Sequence, residues 1–498
     1  MNKQSMHGTA KAKGCRHINL GHFSYLMDSR QKGGAWNSWA NQCSKTPISQ
    51  CKAEEIAAFL VGPGGLMQDM PGEQTVDASL PAAYTFFAQF IDHDITLDTT
   101  TKLHASAMPP AAVRDLPNLR SASLDLDCLY GFGPEASPFM YAPPTQLGRL
   151  SVGSNVNGVY NRNDVPRNTD GRALIGDPRN DENIFVSQMQ LLWIKFHNRL
   201  LIGSDFEQAQ KATRYHYQWL VLNDFLKRVV HPDIYQFAKK KIEDKARNLS
   251  SGPDYPFCRD VLIDRCGRVT MPVEFSVAAY RFGHATVRST YPVNADFPSI
   301  ELFDERFGTL GFDQVPPELT VDWRLLLNDC PARAINRFLA DELIRLPDPV
   351  VGRHASEADR SLAFRNLLRG YALGLPSGQT VAKFLQGKGY SQIKLLHPED
   401  FTSINGWDCA PDLGNGCKLE DHTPLFFYLM HEAEKQGGGQ HLGTTGSAIL
   451  MEVFGAMLLS CDTYLTDEKN DKQWEPQKRI RDNKELTLAS IVDFVETA

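Results

Sequence analysis

Apolar residues recur at three- and four-residue spacing through much of the chain, the period of a helix that turns one face to a core. This pattern predicts helices over 82–94, 183–202, 215–229, 273–290, 333–345, 358–370, 378–386, 424–435 and 447–461. Pro81 stands where the first of them begins, a position at which a missing N–H costs nothing. Few stretches alternate apolar and polar residues, so the fold class is mainly α, one large helical body with little β. Residues 1–75 are rich in Gly, Ser, Gln and Asn with little periodicity, and predict an N-terminal arm wrapping a domain formed by 76–498. The segment 108–170 is dense in Pro, Gly, Asn and Asp and reads as long irregular loops, which in a compact protein usually serve function. Gly437-Gly438-Gly439 has neither a GxGxxG pattern nor a Walker lysine and reads as a helix stop.

Composition narrows the partners. With 42% hydrophobic residues, 22% charged residues and a formal net charge of -7, the 498-residue chain has a globular profile and no basic run dense enough for nucleic acid. The longest apolar stretch, 446–459, is broken by Glu452, so no transmembrane segment is expected. The N-terminus has basic residues without an apolar run behind them, so no secretory signal is visible, and a cytoplasmic or leaderless secreted protein is expected. The pairs Cys43/Cys51, Cys258/Cys266 and Cys409/Cys417 invite small disulfide loops in an oxidising compartment and are otherwise free thiols.

Four short motifs hold the chemistry. In Gln89-Phe90-Ile91-Asp92-His93-Asp94, helical spacing points Gln89, Asp92 and His93 to one side and Asp94 to another. A histidine and a carboxylate facing one pocket suit acid-base work, or else form a surface cap. In Asp177-Pro178-Arg179-Asn180-Asp181-Glu182-Asn183, Arg179 and Glu182 stand three apart, as a first-turn ion pair also would. In Tyr280-Arg281-Phe282-Gly283-His284, Arg281 and His284 share a face and Gly283 lets a flat ligand approach the backbone. In Arg365-Asn366-Leu367-Leu368-Arg369, Asn366 and Arg369 share a face.

Together, in this order and approximate spacing, the motifs resemble the animal haem peroxidases of the peroxidase-cyclooxygenase superfamily, with bacterial and peroxinectin-like members nearest. The resemblance runs from about residue 80 to about residue 465. It implies a fold built around a buried haem b, with His93 as distal histidine, Arg179 as distal arginine and Gln89 beside them. It makes His284 the proximal iron ligand, Asn366 the partner of its other ring nitrogen, and Arg281 and Arg369 the propionate partners. Asp92 and Glu182 match carboxylates that form ester bonds to haem in many members. Ser121-Ala122-Ser123-Leu124-Asp125-Leu126-Asp127, together with Asp94, matches a Ca²⁺ site, with Ser123 offering its carbonyl. Oxygen-bearing residues alternating along a loop are what a cation wanting 6 to 8 oxygens requires.

The implied reaction reduces hydrogen peroxide and oxidises a small donor, a halide or pseudohalide such as bromide, iodide or thiocyanate, or a phenol, through a ferryl state. An imidazole with an ordinary pKa of ~6.5 suits the proton transfer, and a fixed guanidinium suits the charge that develops. Asn183 stands where the strongest chloride oxidiser has a methionine bonded to haem, which argues against chloride. Two other readings stay open: a fatty-acid dioxygenase of the same superfamily, and a haem-binding or adhesion protein without turnover. The dioxygenases carry a radical tyrosine three residues before the proximal histidine; here that position is Arg281, and Tyr280 is turned ~100° away.

Overall fold

The computed structural model describes residues 21–27, 48–62, 64–68 and 76–497, apart from 100, 103, 144–145, 249–253, 305, 307–309, 352–353, 415, 461, 467–473 and 482–484. Helices dominate it. In chain order the longer ones are α1 (Gln50–Val61), α2 (Ala83–Ile95), α3 (Ile184–Leu200), α4 (Phe206–Leu220), α5 (Pro232–Ala246), α6 (Leu362–Ala372), α7 (Gly378–Lys388), α8 (Leu425–Gly437), α9 (Thr444–Ser460) and α10 (Leu488–Glu496). Strands are short: Gly21–Ser24 joins Pro117–Asn118 antiparallel and Met271–Pro272 parallel, and Asp77–Pro81 pairs with Pro331–Arg333. The mainly α expectation holds.

Helix α2 is the central strut. Every residue from Ala83 to Ile95 except Gln89 is buried, and Phe86, Phe87 and Phe90 pack against Phe185, Trp193, Tyr217 and Phe225. Helix α9, apolar all round, runs through the core beside α5. Among the described residues no helix is long and apolar enough to cross a membrane.

Three predicted helices change on inspection. The segment expected as a helix over 273–290 is a π turn, Glu274–Ala278, followed by a 3-10 helix, Ala279–Thr286. The helix expected over 333–345 shrinks to Asp341–Ile344, because the backbone N–H groups of Ala334, Ile335 and Leu339 bond to Val76, Gly439 and Met67 instead of to their own chain four residues back. The helix expected from residue 215 starts earlier, at Phe206, where Asp205 caps it by accepting from the Gln208 N–H. Within 1–75, the described part contains a helix, α1, that packs on α6; the remainder of the expected arm lies largely outside the described residues. Cys258, Cys266, Cys409 and Cys417 are free thiols, and Cys43 lies outside the described residues. Gly438 ends α8 in the left-handed conformation, as a helix stop should.

Candidate active site

The polar face of a buried helix must find partners, and α2 finds them on three sides. His93 sets its Nδ1 2.7 Å from Oδ1 of Asn180. Asn180 donates through Nδ2 to Oε1 of Gln190 at 2.8 Å, and Gln190 donates through Nε2 to the carbonyl of Cys128 at 3.3 Å. A backbone carbonyl can only accept, so the direction of the whole chain follows from its last link. The Asn180 oxygen therefore faces the ring, Nδ1 of His93 carries the hydrogen, and Nε2 keeps its lone pair. That lone pair lies on the side of Glu182, 3.7 Å from its carboxylate. Burial, and after it the charge of Arg179, push the His93 imidazole down to about 4, so it is neutral at neutral pH.

Arg179 follows Pro178 in a 3-10 turn, Pro178–Asp181, whose cap is Asp177. Its Nη2 reaches the Thr96 carbonyl at 2.6 Å and the His93 carbonyl at 3.2 Å, which places the guanidinium beside the end of α2. Burial alone would raise Asp177, but Arg179, His93 and Arg120 hold it down at about 2, a permanent anion. Glu182 accepts from the Gln89 side chain. Burial pushes Glu182 up to about 7, yet 36% of its side chain is accessible. Deep burial and accessible surface together mean that this group faces an internal space.

The same signature marks the wall that carries His284. His284 is partly accessible, and burial followed by the charge of Arg281 pushes its imidazole down to about 3. Its Nδ1 lies 3.0 Å from Nδ2 of Asn366 on α6; turning that amide over sets Oδ1 against a ring N–H at Nδ1 and leaves the Nε2 lone pair for a metal. A side chain added at Gly283 would meet nothing within 4 Å, so open space lies against the backbone there. In a 3-10 helix residues three apart eclipse, which stacks Arg281 with His284. Arg281 bonds Asp92 at 3.0 Å, Thr286 bonds Thr85 at 2.9 Å, and Tyr280 donates to the Ala88 carbonyl at 3.3 Å, so this wall is tied directly to α2. Arg369 pairs with Asp98 just beyond α2. Two neutral imidazoles from distant segments are thus linked through the Arg281–Asp92 pair, and imidazole nitrogens are the donors that an iron-bearing macrocycle takes.

Asp94 turns away from this space. It is fully buried, and neither of its carboxylate oxygens has a partner at full hydrogen-bond geometry, the Leu126 N–H and the Tyr217 hydroxyl being the donors that approach it. One carboxylate oxygen from each of Asp94, Asp125 and Asp127 can be chosen so that all lie within 4.8 Å of one another. Ser121 and Ser123 each donate to Asp125 at 2.9 Å. Leu126 turns the loop between the two aspartates in the left-handed conformation, φ 58°. Burial, then Asp127 and Asp125, drive Asp94 well above the carboxylate range, and Asp127 rises to about 7 through burial and then Asp125. Clustered buried carboxylates of this kind fit a hard cation.

The structure therefore links Gln89 to Glu182, Glu182 to His93, Arg179 to the His93 carbonyl, Asp92 to Arg281 and His284 to Asn366, sets Arg369 beside Asp98, and gathers Asp94, Asp125 and Asp127 with Ser121 and Ser123. Sequence reading missed the hydrogen-bonding roles of Asn180, Gln190, Asp177 and Arg120. Only Asn180 and Asp177, inside a quoted motif, left any signal.

Residues 105–495 match the sequence model of the family described as animal haem peroxidase. The chain belongs to the animal haem peroxidase family. The matched span begins after α2, so Gln89 to Asp94 rest on the geometry above. Peroxidase A from Dictyostelium discoideum superposes with a TM-score of 0.56 at 15% identity, covering 89% of this chain and 87% of that one. A fatty acid alpha-dioxygenase from Oryza sativa gives a TM-score of 0.57 at 17% identity over 89% of this chain and 81% of its own. These likenesses show a shared fold. Human thyroid peroxidase is 25% identical over 162 residues, which is 29% of this chain but 15% of that protein.

Proposed function

We propose that this member of the family is a haem peroxidase that reduces hydrogen peroxide and oxidises small donors. The observation that carries the reading is the amide chain that dictates the His93 tautomer and leaves Nε2 unprotonated, with Arg179 held on the His93 carbonyl. His284 would hold haem b through Nε2, with Asn366 tuning its basicity and Arg281 and Arg369 meeting the propionates. Asp92 and Glu182 would form the ester bonds. Asp94, Ser121, Ser123, Asp125 and Asp127 would hold Ca²⁺.

Bound haem supplies the iron that exchanges electrons with peroxide and donor. His93 takes the first peroxide proton at Nε2 and returns it to the departing oxygen, a contribution of ~10² to 10⁴. Arg179 stabilises the negative charge that grows on that oxygen, and its anchors keep it from reorganising as the bond breaks. A bromide, iodide, thiocyanate or phenolic donor would approach from the side of Gln89 and the partly accessible Glu182 that it bonds. Asn183 caps α3 by accepting from the Val186 N–H, so the position next to Glu182 is taken up in structure and offers no thioether.

The dioxygenase fold-neighbours raise a second reading, in which a tyrosyl radical attacks a fatty acid. Arg281 occupies the eclipsed position beside His284, while Tyr280 stacks on Phe275 at 4.9 Å inside the core. The peroxidase reading is therefore preferred. Peroxide-dependent oxidation of a phenolic dye by the haem-loaded chain tests it. His93→Ala is expected to lose at least ~100-fold with haem retained, and consumption of a fatty acid with no dye oxidation would overturn it.

A further inference from the structure

Asp177 has no exposed side-chain surface and takes up two guanidinium groups. Its Oδ1 accepts from the backbone N–H of Arg179 at 2.8 Å and from Nε at 3.1 Å. Its Oδ2 accepts from Nη2 of Arg179 and from Nε of Arg120, both at 2.8 Å. Arg120 also gives Nη2 to the Gly176 carbonyl at 3.0 Å and Nη1 to Asp127 at 3.4 Å. Arg179 is thus anchored twice, and each anchor leads to the carboxylate cluster. One is the pair of carbonyls at His93 and Thr96, flanking Asp94; the other is the path through Asp177 and Arg120 to Asp127.

We propose that Asp177 and Arg120 are positioning residues that tie the distal guanidinium to the carboxylate cluster, so that a cation held by Asp94, Asp125 and Asp127 sets Arg179. The inference rests on the cation reading of that cluster. Arg120 is shared between two carboxylates, Asp127 and Asp177. A divalent cation draws on Asp127 and weakens its hold on Arg120, which leaves the guanidinium to Asp177. With Oδ2 gripped by both arginines, the Asp177 carboxylate cannot rotate, and its fork on Arg179 stays in place. Coupling of this kind is reciprocal, so a change at Asp177 or Arg179 must be felt by the ion.

Calorimetric titration of Ca²⁺ into the chelator-treated, haem-loaded full chain reads this directly. Asp177→Asn releases Arg120 to Asp127, where it competes with the ion, and affinity is expected to fall about tenfold. Arg179→Ala frees Asp177 to hold Arg120 more fully, and affinity is expected to rise about fivefold. Both effects are expected to shrink below about twofold in an Arg120→Met background, which keeps the apolar stem and removes the link. Arg120→Gln serves in the same cycle where Arg120→Met does not fold. Undiminished effects in both backgrounds would mean that charge acts through space alone, and the relay would be wrong. Absence of Ca²⁺ binding by the wild-type chain would overturn the cation reading first, and the relay with it.

Discussion

The two histidines sit on elements of opposite character. His93 rides on a regular, buried α-helix, and its ring is governed by a chain of amides that ends on the carbonyl of Cys128. His284 sits on a 3-10 helix that follows a π turn, and a single amide, that of Asn366, addresses its ring. The side proposed to handle a proton has its tautomer fixed by the protein alone. The side expected to bind metal leaves one nitrogen uncommitted and accepts an irregular backbone, because a metal bond supplies the missing constraint.

That contrast can be attacked in order of expected effect. Asn180→Leu removes the acceptor that keeps hydrogen on Nδ1 of His93 while leaving the helix intact. The peroxide reaction of the haem-loaded protein, followed by stopped-flow absorbance, is expected to slow about a hundredfold, the low end of a general base's contribution. Unchanged kinetics would show that the amide chain does not set the tautomer. Asn366→Leu acts on the other ring, and haem affinity or turnover is expected to drop about tenfold with a shifted Soret band. A drop equal to that of Asn180→Leu would erase the asymmetry.

A separate effect, on stability and not on rate, concerns the support beneath His284. Glu274 opens the π turn and accepts from the N–H groups of Leu26 and Met27 at 2.9 and 3.3 Å. Burial outweighs those bonds and pushes its carboxyl up to about 7. Its folded value lies above the ordinary one near 4.5, so folding favours the protonated form. The stability it contributes is complete below about 4.5 and is lost as pH rises through about 7. Denaturant titrations are expected to show wild type losing on the order of 3 kcal/mol relative to Glu274→Gln between pH 4 and 8. Parallel curves would contradict the assignment.

Much of this site was legible before any coordinates. Gln89, Asp92 and His93 announce themselves because three- and four-residue spacing on a helix is a local property, and so is the separation of Arg281 from His284. The amide chain was not legible. Asn180, Gln190 and the Cys128 carbonyl come from separate segments, and each residue in isolation is an ordinary polar side chain in or near a helix. Asp177 stood in a quoted motif with no role of its own; it caps the 3-10 turn, and its second guanidinium arrives from residue 120. The errors in the fold have the same origin. Helix α5 was missed because only Ile234, Tyr235, Ala238 and Ile242 of its 15 residues are buried, a stripe too narrow to stand out among the charged residues around it. The helix expected over 333–345 was overruled by backbone partners more than a hundred residues away in sequence. Local spacing predicts faces, and tertiary hydrogen bonds decide what those faces do.

The most direct test compares His93→Ala and His284→Ala side by side, as purified haem-loaded protein, by absorption spectrum and by the rate of reaction with peroxide. His93→Ala is expected to keep the wild-type resting spectrum and to react at least ~100-fold more slowly, whereas His284→Ala is expected to lose the spectrum of an imidazole-ligated iron and to retain haem poorly. Indistinguishable behaviour of the two variants, or a wild-type peroxide rate in His93→Ala, would contradict it.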